Sequence, residues 1–169
     1  WVSSTLHGLA EGSEIEVSAP TGNFYLIDSK KRNVFISGGV GLTPMIAMLN
    51  QLVTEDMPQP VSFIHACRSS QVHAMKQHIH ELKAKYPRLS TFTAYEFPHE
   101  GDVLGEDYDA AGRLDLVSMD AGLLPANADY YLCGPMPFMA EQHKALVARG
   151  IPAENIHSEA FGTGGVKLS

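Results

Sequence analysis

The chain has 169 residues, 44% of them hydrophobic and 18% charged, a balance that supplies a folded core and excludes a disordered chain. Twelve basic residues stand against 19 acidic ones, and the net charge of −7 argues against a nucleic-acid partner, which a basic face would have to attract. No apolar run approaches the ~18 residues of a membrane span, and no signal peptide opens the chain. Cys67 and Cys133 are too few and too far apart for a disulfide framework or a zinc site, so a cytoplasmic protein is expected.

The first 28 residues read as the end of a β structure whose beginning is missing, and residue 1 is Trp, so a piece of a longer protein is expected. Residues 14–18 alternate polar and apolar, the period of a half-buried antiparallel strand. A turn cluster at residues 19–23 precedes the apolar run Phe24-Tyr25-Leu26-Ile27. From about residue 33 the pattern becomes strand then helix, repeated. Val34-Phe35-Ile36-Ser37 predicts a strand buried on both faces. The helix after it gathers Met45, Met48, Leu49, Leu52 and Val53 on one face. Residues 61–66 predict a second strand, followed by a helix carrying Val72, Met75, Ile79, Leu82 and Tyr86 and stopped by Pro87. Residues 89–95 alternate as a third strand. Residues 97–112 read as an acidic, solvated loop, with a short helix near residues 114–119. A fourth strand is predicted at residues 130–133, then a helix from Pro137 to Arg149 with Gly150 just past its end, and a fifth strand at residues 156–160. Strands alternating with crossover helices predict a doubly wound α/β fold with a five-stranded parallel sheet.

Three strand ends carry candidate chemistry. In Ser37-Gly38-Gly39-Val40-Gly41-Leu42-Thr43-Pro44 the glycines permit a tight turn and close backbone approach to a pyrophosphate, which the following helix N-terminus would attract. A plain strand–helix turn has the same composition, and Pro44 stands where the third glycine of GxGxxG would be. Cys133-Gly134-Pro135 ends the fourth strand on the same side of the sheet, where a small thiol and a glycine would let a flat ring lie close. A buried cysteine before a turn explains it equally well. Glu159 and Phe161 leave the last strand together and could line a cofactor site or end a solvated strand. Arg68-Ser69-Ser70 follows the second strand, where Arg with hydroxyls could accept the 2′-phosphate of NADPH, or Ser70 could cap the next helix. His73, His78 and His80 do not share a tight metal-binding face, and His65 reads as a packed strand residue.

With these residues in place, the chain resembles the ferredoxin–NADP reductase superfamily over essentially its whole length, and within it the reductase portion of flavohaemoglobins, the nitric oxide dioxygenases. The motifs that carry the likeness are residues 2–7, 19–24, 39–45, 131–135 and 156–162. The resemblance implies that Gly39, Val40, Gly41, Leu42, Thr43 and Pro44 cradle the nicotinamide dinucleotide's pyrophosphate. Cys133, Gly134 and Pro135 would lie by the nicotinamide. Ser3 and Ser4 would be the tail of an FAD pyrophosphate motif, and residues 1–28 the remnant of an FAD-binding β-barrel domain, with residues 29–169 the NAD(P)-binding domain. Phe161 would pack on the flavin, with Glu159 near it. Ala160, Phe161, Gly162 and Thr163 correspond to a flavin contact that often reads Cys-Phe-Gly-Pro, from which Ala160 and Thr163 depart.

The resemblance further implies hydride transfer from the nicotinamide to FAD, and electron passage to a haem that converts nitric oxide and dioxygen to nitrate, a detoxification. Cys133 and Glu159 would act by positioning and electrostatics. The family favours NADH, against the local argument from Arg68. The barrel's Arg-x-Tyr-Ser motif and a globin are absent, so the fragment alone is expected to retain neither FAD nor haem and to be inactive. Alternatives are a reductase feeding an oxygenase or iron–sulfur chain, and a nucleotide-binding regulatory module without turnover.

Overall fold

The computed structural model describes residues 2–160, the side chains of Ser3 and Ala160 excepted. A central strand, β1 (Arg32–Gly38), forms because Val34, Phe35 and Ile36 have no exposed surface at all and are covered on both sides. It pairs in parallel with β2 (Val61–Cys67) on one side and β5 (Ala128–Gly134) on the other. Beyond β2 lie β3 (Leu89–Tyr95) and the two-residue β4 (Ala110–Ala111), and beyond β5 lies β6 (Ile156–Ala160). The sheet is therefore six-stranded and parallel, in the order β4-β3-β2-β1-β5-β6. The predicted five strands are all present, and the sixth is the short β4, too brief for a periodic signal.

Two helices, α2 (Leu42–Thr54) and α3 (Lys76–Lys85), accompany one face, where Phe35, Met45, Leu49, Phe63 and Tyr131 form a buried cluster. On the other face α4 (Met136–Ala148) and residues 114–124 cover Val34, Ile36, Ile64, Tyr130 and Leu132. The chain runs outward from β1 to β4, then crosses back to β5. That reversal leaves a crevice beyond the carboxyl ends of β1 and β5, where doubly wound sheets hold ligands.

Several predicted elements differ. Residues 14–18 form no strand: residues 8–31 have neither helix nor strand, and Ile15 and Val17 stand exposed at 55% and 78%. An alternating segment becomes a strand only against a partner, and the described residues offer none. Among the described residues, the only regular element before β1 is the short helix α1 (Val2–His7). The helix after β2 begins at Lys76 because Met75 has a φ of 60°, which interrupts the helical turn; Val72 and Met75 are consequently exposed. Ser70 does not cap it. It opens a 3₁₀ turn after Ser69 without a side-chain capping bond, and its N–H points to the Asp102 carboxylate at 3.5 Å.

No helix forms at residues 114–119. Asp115 accepts the N–H groups of Val117 and Ser118, while the Arg149 guanidinium donates to the carbonyls of Leu116, Val117 and Met119 at 2.8–2.9 Å. Those bonds hold the segment in an irregular turn. Nor is the acidic loop simply solvated. Asp102 holds the N–H of His99, Asp107 that of Val103 and Asp109 that of Thr93, so three carboxylates shape the backbone.

Candidate functional site

A crevice of about 650 Å³ opens at the carboxyl ends of the strands, within the size range of small-molecule sites. Gly38, Gly39, Val40, Leu42 and Thr43 form one wall, Cys67 and Arg68 a second, and Pro135, Pro137 and Phe138 a third. Glu96 and Arg113 face each other at 3.5 Å along the rim.

Two glycines of the turn do different work. Gly39 has a φ of +52°, a conformation that L side chains rarely adopt, and the space above it is open. A ligand's backbone-hugging group can therefore come close there. Gly41 is needed for a different contact: a Cβ on it would lie 2.2 Å from the Cys133 carbonyl oxygen. Gly41 lets the start of α2 press against β5, and it is not among the residues that line the crevice. After the turn, α2 opens with no acidic residue in its first turn, so nothing there opposes the positive end of the helix dipole. Thr43 returns its hydroxyl to the Val40 carbonyl at 3.2 Å and tightens the turn. Pro44 lies in that same first turn, where a missing N–H is tolerated, and not on the crevice wall.

Phe138 was not anticipated from the sequence. Its ring lies under two strand ends at once: a Cβ on Gly38 or on Gly134 would meet it at 2.9 and 2.8 Å. Gly134 itself is not on the crevice wall. The available signal was an aromatic one residue past Pro137, in the first turn of α4. Arg113, the one base following the acidic loop, was likewise missed.

Cys133 does not reach the crevice. It has no exposed surface, packs with Phe35 and Met45, and burial pushes its thiol up to about 12, with the Glu159 charge adding to the effect. Cys67 is raised to about 11 by burial. Neither is a thiolate at neutral pH. Glu159 is exposed and stands directly across from Cys133 in the β5–β6 register. Arg68 is exposed on the crevice wall and Ser4 exposed on α1. Phe161, Gly162 and Thr163, with the side chains of Ser3 and Ala160, lie outside the described residues.

Beneath the β2 end, His65 Nδ1 meets the Ser37 hydroxyl at 2.9 Å and His73 Nδ1 the Tyr95 hydroxyl at 2.8 Å, with the two imidazoles 5.0 Å apart. Burial, and then mutual repulsion, pull His65 down to about 3; burial and nearby Lys76 pull His73 to about 4. Both are neutral packing groups at pH 7. Among the described residues no group of three His, Cys, Asp or Glu is disposed to hold a metal ion, and no helix is long and apolar enough to cross a membrane.

A parallel sheet whose strand order reverses beside a glycine turn opening a helix defines a dinucleotide-binding domain of the doubly wound class. The chain belongs to the oxidoreductase NAD-binding domain family, which it matches over residues 35–144. It is 47% identical to a flavohemoprotein of Bordetella pertussis over 98% of this chain and 42% of that protein, and 43% identical to one of Rhizobium meliloti over 96% and 40%. It thus spans about two fifths of the length of these relatives. The crystal structure of the flavohem-like FAD/NAD binding domain of nitric oxide dioxygenase from Vibrio cholerae superposes with a TM-score of 0.78 at 31% identity, over 96% of this chain and 65% of that one. Flavohemoglobin from Malassezia yamatoensis, solved with bound FAD and heme, gives 0.74 at 26% identity over 94% and 40%.

Proposed function

We propose that this chain is the nicotinamide-binding part of a flavohaemoglobin-type reductase, taking up NADH and presenting it to a flavin held by a preceding portion of a longer protein. The observation that carries the reading is the open, left-handed Gly39 turn at the mouth of a dinucleotide-sized crevice, next to the positive end of α2. Gly39, Val40, Leu42 and Thr43 would hold the pyrophosphate, with Gly41 and Pro44 shaping the turn. Arg68 and Arg113 lend positive charge to the other end of the crevice, and Arg68 would meet a 2′-phosphate when NADPH is bound. Pro135 and the Gly134 turn would guide the nicotinamide, while Cys133 and Glu159 shape the neighbouring strand ends. When bound, the nicotinamide and flavin supply the hydride chemistry; this chain binds, orients and shields.

The relatives' flavohaemoglobin character supports a parent with FAD-binding and globin portions, passing electrons to haem and oxidising nitric oxide. On this reading residues 1–28 are the end of the FAD-binding portion, Ser3 and Ser4 face the flavin's pyrophosphate, and Ala160, Phe161, Gly162 and Thr163 return to the flavin. A cytoplasmic setting accords with it. The test has two parts. NADH titrated into the chain should bind saturably, and Gly39→Val should abolish that binding; unchanged binding overturns the crevice assignment. The full-length protein should show a haem Soret band beside flavin bands, and flavin without haem would move the reading to a reductase serving an oxygenase or iron–sulfur acceptor.

A further inference from the structure

Alternate residues of a strand share a face, so Asp129, Tyr131 and Cys133 form one row along β5. Most of the irregular segment before β1 is exposed, yet residues 24–31 are stitched to this row. The Phe24 ring lies edge-on to Tyr131 at 6.1 Å, and Leu26 packs into the same cluster. The Tyr131 hydroxyl accepts the Ile27 N–H at 2.9 Å. The Ser29 hydroxyl donates to the Asp129 carboxylate, and the Lys31 ammonium reaches both Asp129 at 3.5 Å and the Asn155 carbonyl oxygen at 2.8 Å. His157, across from Tyr131 in the register, puts Nε2 3.7 Å from the same carboxylate, buried and without a hydrogen-bond partner.

Asp129 is only 3% exposed. A carboxylate held inside a sheet loses its hydration, and apolar packing would tie down a loop at lower cost. What a charged, multiply bonded anchor adds is a fixed direction. At the other end of the row, about 13 Å away at ~3.3 Å per residue, stand Cys133 and, beside it, Glu159.

We infer that Asp129 and Tyr131 are positioning residues: they fix where the chain preceding residue 24 leaves this domain, and so set the distance between the nicotinamide site and the flavin. The inference rests on the reading that a flavin-bearing portion precedes. A displacement of about 1 Å between reacting groups can lower a rate ~10²-fold, so a lever anchored on the same strand as the site is well placed to control it.

The experiment uses the full-length flavin-loaded protein. Asp129→Asn removes the charge that holds Lys31, and Tyr131→Phe removes only the hydroxyl that takes the Ile27 N–H while keeping the packed ring. Anaerobic stopped-flow measures NADH affinity and flavin reduction separately. Either variant that folds should keep its NADH dissociation constant within about twofold while flavin reduction slows tenfold or more, with weakened long-wavelength nicotinamide–flavin absorbance. Unchanged reduction rates in both overturn the inference, as does a loss of NADH affinity in step with rate. A wild-type protein that holds no flavin, or whose flavin NADH does not reduce, overturns the underlying reading first, and this shows before any variant is made.

Discussion

The carbonyl group of Cys133 occupies the place that a side chain on Gly41 would need. A Cβ there would lie 2.2 Å from its oxygen and 2.4 Å from its carbon, both backbone atoms that cannot swing aside. Gly39, two residues earlier, has open space and a left-handed φ instead. Gly41→Ala should therefore destabilise by about 3 kcal/mol or more through overpacking, and Gly39→Ala by only about 1–2 kcal/mol through backbone strain. Urea unfolding of the two variants checks the order; equal losses would remove the close-approach argument.

Arg149 gathers the carbonyls of Leu116, Val117 and Met119 under one guanidinium. Replacing it with Met keeps the stem and leaves those acceptors to water or to none. The expected loss is about 2 kcal/mol, a melting temperature lower by roughly 4–8 °C for a chain of this size. Hydrogen exchange should rise first at residues 114–120. Uniform exchange across the sheet would show that Arg149 does not hold this segment.

Acid should weaken the fold well before the carboxylates titrate. His65 and His73 are lowered to about 3 and 4 from an ordinary value near 6.5, so the unfolded chain takes up protons that the folded one refuses. Their contribution is fully present above pH ~6.5 and is lost as pH falls towards the folded values. For His65 the slope approaches roughly 1.4 kcal/mol per pH unit. Urea midpoints measured from pH 7 to 5 should decline, and His73→Gln should flatten the decline.

Both thiols should resist alkylation. Burial raises Cys67 to about 11 and Cys133 to about 12, and neither carries appreciable thiolate at pH 8. Iodoacetamide should add nothing to the folded chain over an hour and two groups in urea, counted by mass. Rapid single labelling of the folded protein would locate a more reactive cysteine than the structure contains.

Arg68 lies exposed on the crevice wall, after β2. Arg68→Ala should weaken NADPH about tenfold, as expected for loss of a charge-assisted contact, and NADH less than threefold. An equal fall for both cofactors would dismiss a 2′-phosphate contact.

The legible parts of this fold are those whose signal is local. Val34 to Ile36 form a continuous apolar run closed by glycines, and a strand with that composition has one place to go, between two neighbours. The crevice turn followed because Gly39 and Gly41 interrupt the run where α2 begins, although the sequence could not tell which glycine faces a ligand and which faces β5. Phe138 escaped notice because its ring matters through the end of β1 at Gly38, 100 residues earlier, as well as through nearby Gly134. The 114–119 segment misled for a similar reason, its carbonyls being claimed by Arg149. Residues 14–18 carry a sound strand pattern, but a pattern does not supply the neighbour to pair with.

The central place of β1 also sets a timetable. It is the first strand of this sheet to be made, yet its second flank closes only when β5 emerges about 90 residues later, several seconds at a synthesis rate on the order of 10 residues per second. Throughout that interval a wholly apolar edge, Val34 to Ile36, stands unpaired on the growing chain. Nascent chains of this domain should therefore be held by ribosome-associated chaperones until residue 134 has cleared the exit tunnel.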